Sequence, residues 1–189
     1  MQNERASFLL AIVGVALILI LPSAAHARLP WQPSAEELKA LPGFCRGQKP
    51  PIPMRYENHF CYGLKFLNRA YKSLGNKGDR KWYLSEAVRE FGEALEVTEE
   101  KNTSGQYNIY LSLLYRYQAD AYRWQKELLK AITGYQKAIR YNPKDSRAYA
   151  SLSTLYKSKG MKKEAREVLE QGIKALPKSK LLKKRLSSL

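Results

Sequence analysis

A repeat of 34 residues in the C-terminal half most constrains how this 189-residue chain folds. Aromatic, small and proline residues recur at that interval, in the pairs Tyr115 and Tyr149, Tyr122 and Tyr156, Ala131 and Ala165, Ala138 and Gly172, and Pro143 and Pro177. Small residues let paired helices approach closely. Proline ends a helix because it lacks the amide hydrogen and restricts the residue before it. The repeat therefore predicts helical hairpins that stack on their neighbours.

Two consecutive segments, 112–145 and 146–179, carry this pattern and resemble the tetratricopeptide repeat family. The second fits better, with Gly160 in the turn between its helices. The first departs from the family at Gln118, where Leu is usual, and at Lys126, where Gly is usual, so we expect its turn to be looser or displaced by one residue. The resemblance implies an all-α, right-handed helical-repeat solenoid of about three helix-turn-helix units, which binds proteins and is not an enzyme.

A third, divergent unit is expected upstream, because two repeats are too few to bury their own faces. We place it at 61–97, with Gly75 in the turn and Ala87 in the second helix. These two residues are 12 positions apart, whereas Gly160 and Ala165 are five apart, so the unit carries about seven additional residues in 76–83. Asp79 is expected to cap the lengthened helix. Residues 179–189 are amphipathic and are predicted to be a capping helix, which completes a repeat domain at 54–189.

The N-terminus has the order of features of a secretory signal peptide, predicted at 1–27. Arg5 precedes an apolar run from Phe8 to Leu21, and small residues occupy the cleavage positions before Arg28. We therefore expect an exported protein, in the periplasm. The alternative is an uncleaved anchor in the inner membrane, although the run of 14 residues is shorter than the roughly 20 that span a bilayer. Residues 28–53 hold six of the nine prolines and are predicted to be irregular, except for a short helix that the capping box of Ser34 and Glu37 begins.

Cys45 and Cys61 are predicted to form a structural disulfide, since an even number of cysteines in an exported chain favours pairing. Two free thiols, or a metal or redox site that includes His59, are the alternatives. His59 and Cys61 are two positions apart and would point away from each other on a helix. The sequence has no motif typical of a catalytic site, and we interpret His59 as a packing residue. No cofactor, metal or catalytic residue is therefore predicted.

The net charge of +16 belongs wholly to the part of the chain after the predicted signal peptide, because Glu4 and Arg5 cancel. In an exported protein, acidic protein segments, anionic membrane surfaces or acidic polymers are the expected counterparts, and nucleic acid is not. The lysines of the last segment could touch a membrane surface, or could simply be solvated. A generally basic, solvated surface is the remaining interpretation of the charge.

The resemblance also implies where a partner binds, on the inner, concave face built from the first helix of each unit. The family's positions give a basic groove with interspersed aromatic residues. The residues expected to contact the partner are Lys65, Arg69, Lys72, Arg116, Asp120, Arg123, Trp124, Arg147 and Lys157. Tyr110, Tyr117 and Trp124 recur every seven residues, as one stripe that either contacts the partner or packs between helices. We therefore predict an exported adaptor that binds an acidic peptide in a basic groove. The alternatives are a membrane-associated assembly factor and a thiol, redox or metal protein.

Overall fold

The computed structural model describes residues 34–50, 54 and 57–189, so the predicted signal peptide lies outside the described residues. Every regular element in the described residues is helical, which confirms the all-α fold class. A 3₁₀ turn spans Gly43–Arg46, and the α-helices are α1 (Ala35–Ala40), α2 (Glu57–Lys72), α3 (Lys77–Lys101), α4 (Asn108–Gln125), α5 (Leu128–Tyr141), α6 (Ser146–Ser158), α7 (Lys162–Ala175) and α8 (Lys180–Ser187). None of these helices has the length and apolar character needed to cross a bilayer.

Six of these helices form three consecutive hairpins, α2–α3, α4–α5 and α6–α7. Each hairpin also packs on the next one, through α3 on α4 and α5 on α6. Helix α8 covers the end of the stack, where Leu182 is fully buried against Tyr149 and Leu169. This arrangement is a helical-repeat solenoid, as the sequence predicts.

Small residues set the distance between the paired helices. A Cβ on Gly134 of α5 would lie 2.8 Å from the Cβ of Ala119 on α4, and a Cβ on Gly63 of α2 would lie 2.5 Å from the ring of Phe91 on α3. Real Cβ atoms do not approach other atoms so closely, because interiors are already packed to crystal density. The hairpins therefore close because these positions lack a side chain.

The turn between α4 and α5 is neither looser nor displaced, contrary to the expectation from Lys126. Lys126 takes φ 66°, close to the φ of 75° at Gly160, which lies 34 positions later. In both turns the residue takes the left-handed conformation that ends a helix. Lys126 is the one residue other than glycine with a positive φ among the described residues. This conformation costs a residue with a Cβ about 1–2 kcal/mol.

Helix α3 absorbs the additional residues of the first hairpin by starting early. It begins at Lys77, ten positions before Ala87, whereas α5 begins at Leu128, three positions before Ala131. The prediction that Asp79 caps this helix is wrong. The cap is Asn76, whose side-chain oxygen accepts a hydrogen bond from the amide of Asp79 at 3.1 Å. The seven residues therefore form about two more helical turns rather than a loop.

The segment before α2 is held against that helix. The capping box of α1 is confirmed, since the Ser34 hydroxyl accepts from the amide of Glu37 and the Glu37 carboxylate accepts from the amide of Ser34. Cys45 of the 3₁₀ turn and Cys61 of α2 form a disulfide. Because the bond closes a loop between positions 16 apart, it holds the 3₁₀ turn against α2.

Candidate partner-binding surface

Lys65 was predicted to face the partner, but the structure buries it to 1% exposure. Its Nζ lies 4.8 Å and 4.2 Å from the ring centroids of Tyr62 and Phe66. Loss of hydration lowers the pKa of Lys65 to about 8. The prediction is wrong here because Lys65 lies at a partly open pocket that it lines together with residues of the segment before α2, such as Leu41 and Phe44. Lys65 occupies a position that is exposed to partners in a regular repeat, but in this chain the segment before α2 covers it.

Arg69 lies beside the same segment and is already paired. Its guanidinium donates from Nε and from a terminal nitrogen to the two carboxylate oxygens of Glu37 on α1, the second over 2.8 Å. Hydrogen bonding to Arg69 is the main cause that lowers the pKa of Glu37, to about 2. Arg69 therefore holds α1 to α2 instead of offering its charge to a partner.

Arg116 and Asp120 of α4 also point into the stack, which corrects their predicted place on an open groove. Arg116 is 5% exposed, and its Nε donates to Oδ2 of Asp145 over 2.9 Å. Asp120 accepts a hydrogen bond from the hydroxyl of Tyr135 at 2.6 Å, and burial raises its pKa. Both side chains join neighbouring helices because α4 lies in the middle hairpin and is packed on several sides.

The remaining predicted residues stay accessible. Lys72 and Arg147 are exposed, Arg123 is half-buried, and Lys157 is exposed with its Nζ donating to the carbonyl oxygen of Ser188. Trp124 is 38% exposed, whereas the other two aromatic residues of its stripe are packed. Tyr110 and Tyr117 each lie 5.7 Å from the ring of Phe60. The interpretation as interhelix packing therefore holds for both tyrosines and not for Trp124.

Trp124 lies in a cluster of aromatic and guanidinium groups at the end of α4. Its ring is 5.4 Å from that of Tyr71, at the end of α2. The guanidinium carbons of Arg80 and Arg123 lie 5.3 Å and 6.0 Å from its centroid. The Nε atoms of both arginines are buried without a hydrogen-bond partner among the described residues. These two guanidinium groups give the surface beside the exposed indole positive charge, although a terminal nitrogen of Arg123 also lies 3.8 Å from Oδ1 of Asp120.

A cleft of about 440 Å³ opens beside this cluster, between the start of α3 and the turn after α4. Four of its residues are basic and Trp124 forms part of its wall; the lining residues are Lys77, Arg80, Lys81, Leu84, Ser85, Trp124, Gln125, Lys126 and Glu127. The family positions did not point to Lys77, Arg80 or Lys81. The signal that could have found them is the seven-residue insertion itself, which brings these three residues next to Trp124.

His59 lies in an ion network that the sequence did not reveal. Its Nδ1 is 2.8 Å from Oε2 of Glu90 and 3.1 Å from Oε2 of Glu93, both on α3. The three ligand atoms lie within 4.8 Å of one another, close enough to hold a divalent cation. Arg89, however, binds the other oxygen of each carboxylate. His59 is therefore partly buried between helices, as the sequence predicts, and its polar contacts join α2 to α3.

Comparisons with known proteins give one family match and a similar solved structure. Residues 135–167, from the middle of α5 to the middle of α7, match the family described as tetratricopeptide repeat. No curated protein matches the sequence. A solved structure similar to this chain is the Sgt2 TPR domain from Aspergillus fumigatus, which is 21% identical over 67% of this chain and 75% of that chain, with a TM-score of 0.46.

Proposed function

We propose that this chain, whose residues 135–167 match the tetratricopeptide repeat family, acts as an adaptor that binds an acidic segment of a partner protein. Tetratricopeptide domains are typically non-catalytic modules that bind proteins or peptides. A fold alone does not fix a function, so the proposal depends on the chemistry of the accessible surface.

The cluster at Trp124 carries this proposal. Arg80 and Arg123 both flank the exposed indole, and each has a buried Nε without a partner among the described residues. A partner's carboxylate cannot reach these buried Nε atoms, but it would pair with the charge of the two guanidinium groups, and charge-assisted hydrogen bonds are stronger than neutral ones. The indole adds an apolar contact area of the kind that anchors many interfaces.

The charge of the whole chain supports an acidic partner. A net charge of +16 raises the rate at which negatively charged proteins meet the surface. Arg69 and Arg116 are neutralised by Glu37 and Asp145, so the charge available to a partner comes from elsewhere. The basic cleft beside Trp124 supplies part of it.

We propose further that the adaptor acts after export, in the periplasm. The leader predicted at 1–27 and the disulfide of Cys45 and Cys61 both suit an oxidising compartment outside the cytoplasm. Mass spectrometry of the protein from its native host tests this proposal. A mature N-terminus at Arg28 is expected, whereas a retained leader would favour the membrane-anchored alternative.

Capture of partners from envelope extract tests the adaptor function. The full chain, a Trp124→Ala variant and a Trp82→Ala control are compared, because Trp82 is also exposed, at 45%, but lies outside the cleft. We expect the wild type and the control to retain a partner that poly-glutamate displaces and the uncharged poly-glutamine does not. Trp124→Ala should lose that partner while its melting temperature and helicity match those of the control. Equal recovery by Trp124→Ala would reject the proposal.

A further inference from the structure

The insertion in the first hairpin places positive charge where a helix tolerates it least. Helix α3 begins with Lys77, Arg80 and Lys81, and its one acidic residue in the first turn, Asp79, is hydrogen bonded to Asn76 at 2.8 Å. The N-terminal end of a helix carries a partial positive charge, so cations there are destabilising and anions are favoured. These basic residues therefore do not serve the stability of α3.

The opposite wall of the cleft carries a second unfavourable feature. Lys126 takes the left-handed conformation that Gly160 takes in the next turn, and its side chain lines the cleft. The acidic residue of this wall, Glu127, pairs with Lys130 at 3.0 Å and so neutralises little of the cleft. Local departures from the most stable choice of residue are typical of functional sites.

The cleft presents both apolar and cationic groups, and this combination indicates which class of ligand fits it. Trp124 offers an apolar contact in the cleft, with the buried Leu84 behind the surface, and Arg80 lies over the indole face. A small anion would use the charges alone. A peptide segment whose carboxylates flank an apolar side chain would use both.

We infer that the lengthened start of α3 and the turn after α4 form the recognition cleft of this protein. It binds an acidic peptide segment, with carboxylates against Lys77, Lys81 and Lys126 and an apolar side chain against Trp124. The inference rests on the proposed function. It places the binding site at the edge of the stack where the two helices of each hairpin are joined, and not in the predicted inner groove. The seven additional residues are, on this view, the recognition element.

A recognition role and a structural role predict opposite changes in melting temperature when these residues are replaced. Lys77→Glu puts an acidic residue in the first turn of α3, and Lys81→Glu removes a cation just beyond that turn. The free protein should therefore be at least as stable as the wild type, while its affinity for an acidic ligand falls. Lys126→Gly removes the backbone strain and should likewise raise the melting temperature and weaken binding. Residues kept for stability would lower the melting temperature when replaced.

Fluorescence anisotropy with the full chain tests the inference. The probe is a fluorescein-labelled peptide in which glutamates flank a single leucine, and its reference is the same peptide with glutamines. The variant is Lys77→Glu with Lys81→Glu, and the control is Lys162→Glu with Lys163→Glu, the same change of charge in the first turn of α7, outside the cleft. We expect about tenfold weaker binding for the cleft variant, which corresponds to roughly 1.4 kcal/mol, and near wild-type binding for the control. Both variants should melt at or above the wild-type temperature.

Each other outcome has a distinct meaning. If the wild type binds the glutamate peptide no better than the glutamine peptide, acidic recognition fails and the proposed function fails with it. If the wild type prefers the glutamate peptide and the cleft variant binds that peptide as tightly as the wild type does, the site lies elsewhere on the protein. The protein would then still recognise acidic peptides. Equal losses in the cleft variant and the control would mean that bulk charge alone attracts the peptide, and would overturn the inference. Should the double variant fold poorly, Lys126→Gly gives the same comparison.

Discussion

Arg116 of α4 donates a hydrogen bond to Asp145, the residue that caps α6, and thereby ties the second hairpin to the third. The carboxylate of Asp145 is shared. Oδ2 accepts from Arg116, and Oδ1 accepts from the amides of Arg147 and Ala148 at 3.0 Å and 3.2 Å. Both side chains are almost fully buried, with 6% and 9% exposure. The pair is therefore an internal joint of the stack.

Arg116→Ala should destabilise the protein by about 3–5 kcal/mol, because it leaves the carboxylate of Asp145 buried without its counter-ion. Denaturant unfolding followed by circular dichroism measures the change. Arg147→Ala is the control, since it removes an exposed arginine beside the same cap and should stay within about 0.5 kcal/mol of the wild type. If Arg116→Ala unfolded at the same denaturant concentration as this control, the ion pair would not be the joint described.

Two glycines inside helices should respond to alanine in opposite directions. Gly134→Ala places a methyl group 2.8 Å from the Cβ of Ala119, so α4 and α5 must separate, which costs about 1–3 kcal/mol. In Gly92→Ala the nearest atom beyond its own helix is the Gln118 Nε2, at an ordinary 3.5 Å. The second variant should gain about 0.5–1 kcal/mol from helix propensity. Thermal melts of the two variants compare them directly, and a gain for Gly134→Ala would contradict the close approach of the helices.

Removing the disulfide should lower stability by about 3 kcal/mol, the amount expected for a loop of this size. The double variant Cys45→Ser and Cys61→Ser and the wild type with a strong reductant should show similar losses in urea unfolding. Reductant should not affect the double variant further. If reductant left the wild type unchanged, and thiol labelling in denaturant showed free cysteines, the pair would not be bonded in the folded protein.

The sequence predicted those features that local chemistry or the period of the repeat determines. The interval of 34 residues places Ala131 and Ala165 at equivalent positions of successive hairpins, and proline and small residues mark where helices end or approach. The capping box of Ser34 and Glu37 depends on residues three positions apart, so it can be recognised without a structure.

The candidate site was harder to predict because burial depends on contacts distant in sequence. Lys65 occupies a family position for partner contact, yet it lines a partly open pocket that the segment before α2 helps to form. The partner of Arg116 is 29 positions away, and the partner of His59 is 31 positions away. Predictions from family positions apply to a regular repeat. They are wrong where an insertion or an added segment changes which residues surround a position.

The ion pair of Glu37 and Arg69 should make the hold of α1 on α2 depend on pH. The pKa of Glu37 is lowered from 4.5 to about 2, so the folded state favours the charged carboxylate. Its contribution to stability is fully present above pH 4.5 and is lost as the pH falls towards 2. Glu37→Gln removes the charge and keeps a residue that suits the capping box. The melting temperature of the wild type should therefore exceed that of Glu37→Gln near neutral pH, and the difference should shrink as the pH falls from 4.5 towards 2.

The control is Glu36→Gln, which removes a charge from the same helix without touching Arg69. The difference in melting temperature between the wild type and this control should not shrink in that pH range. A difference between wild type and Glu37→Gln that stayed constant from pH 6 to pH 2 would mean that the charge of Glu37 does not hold α1 in place.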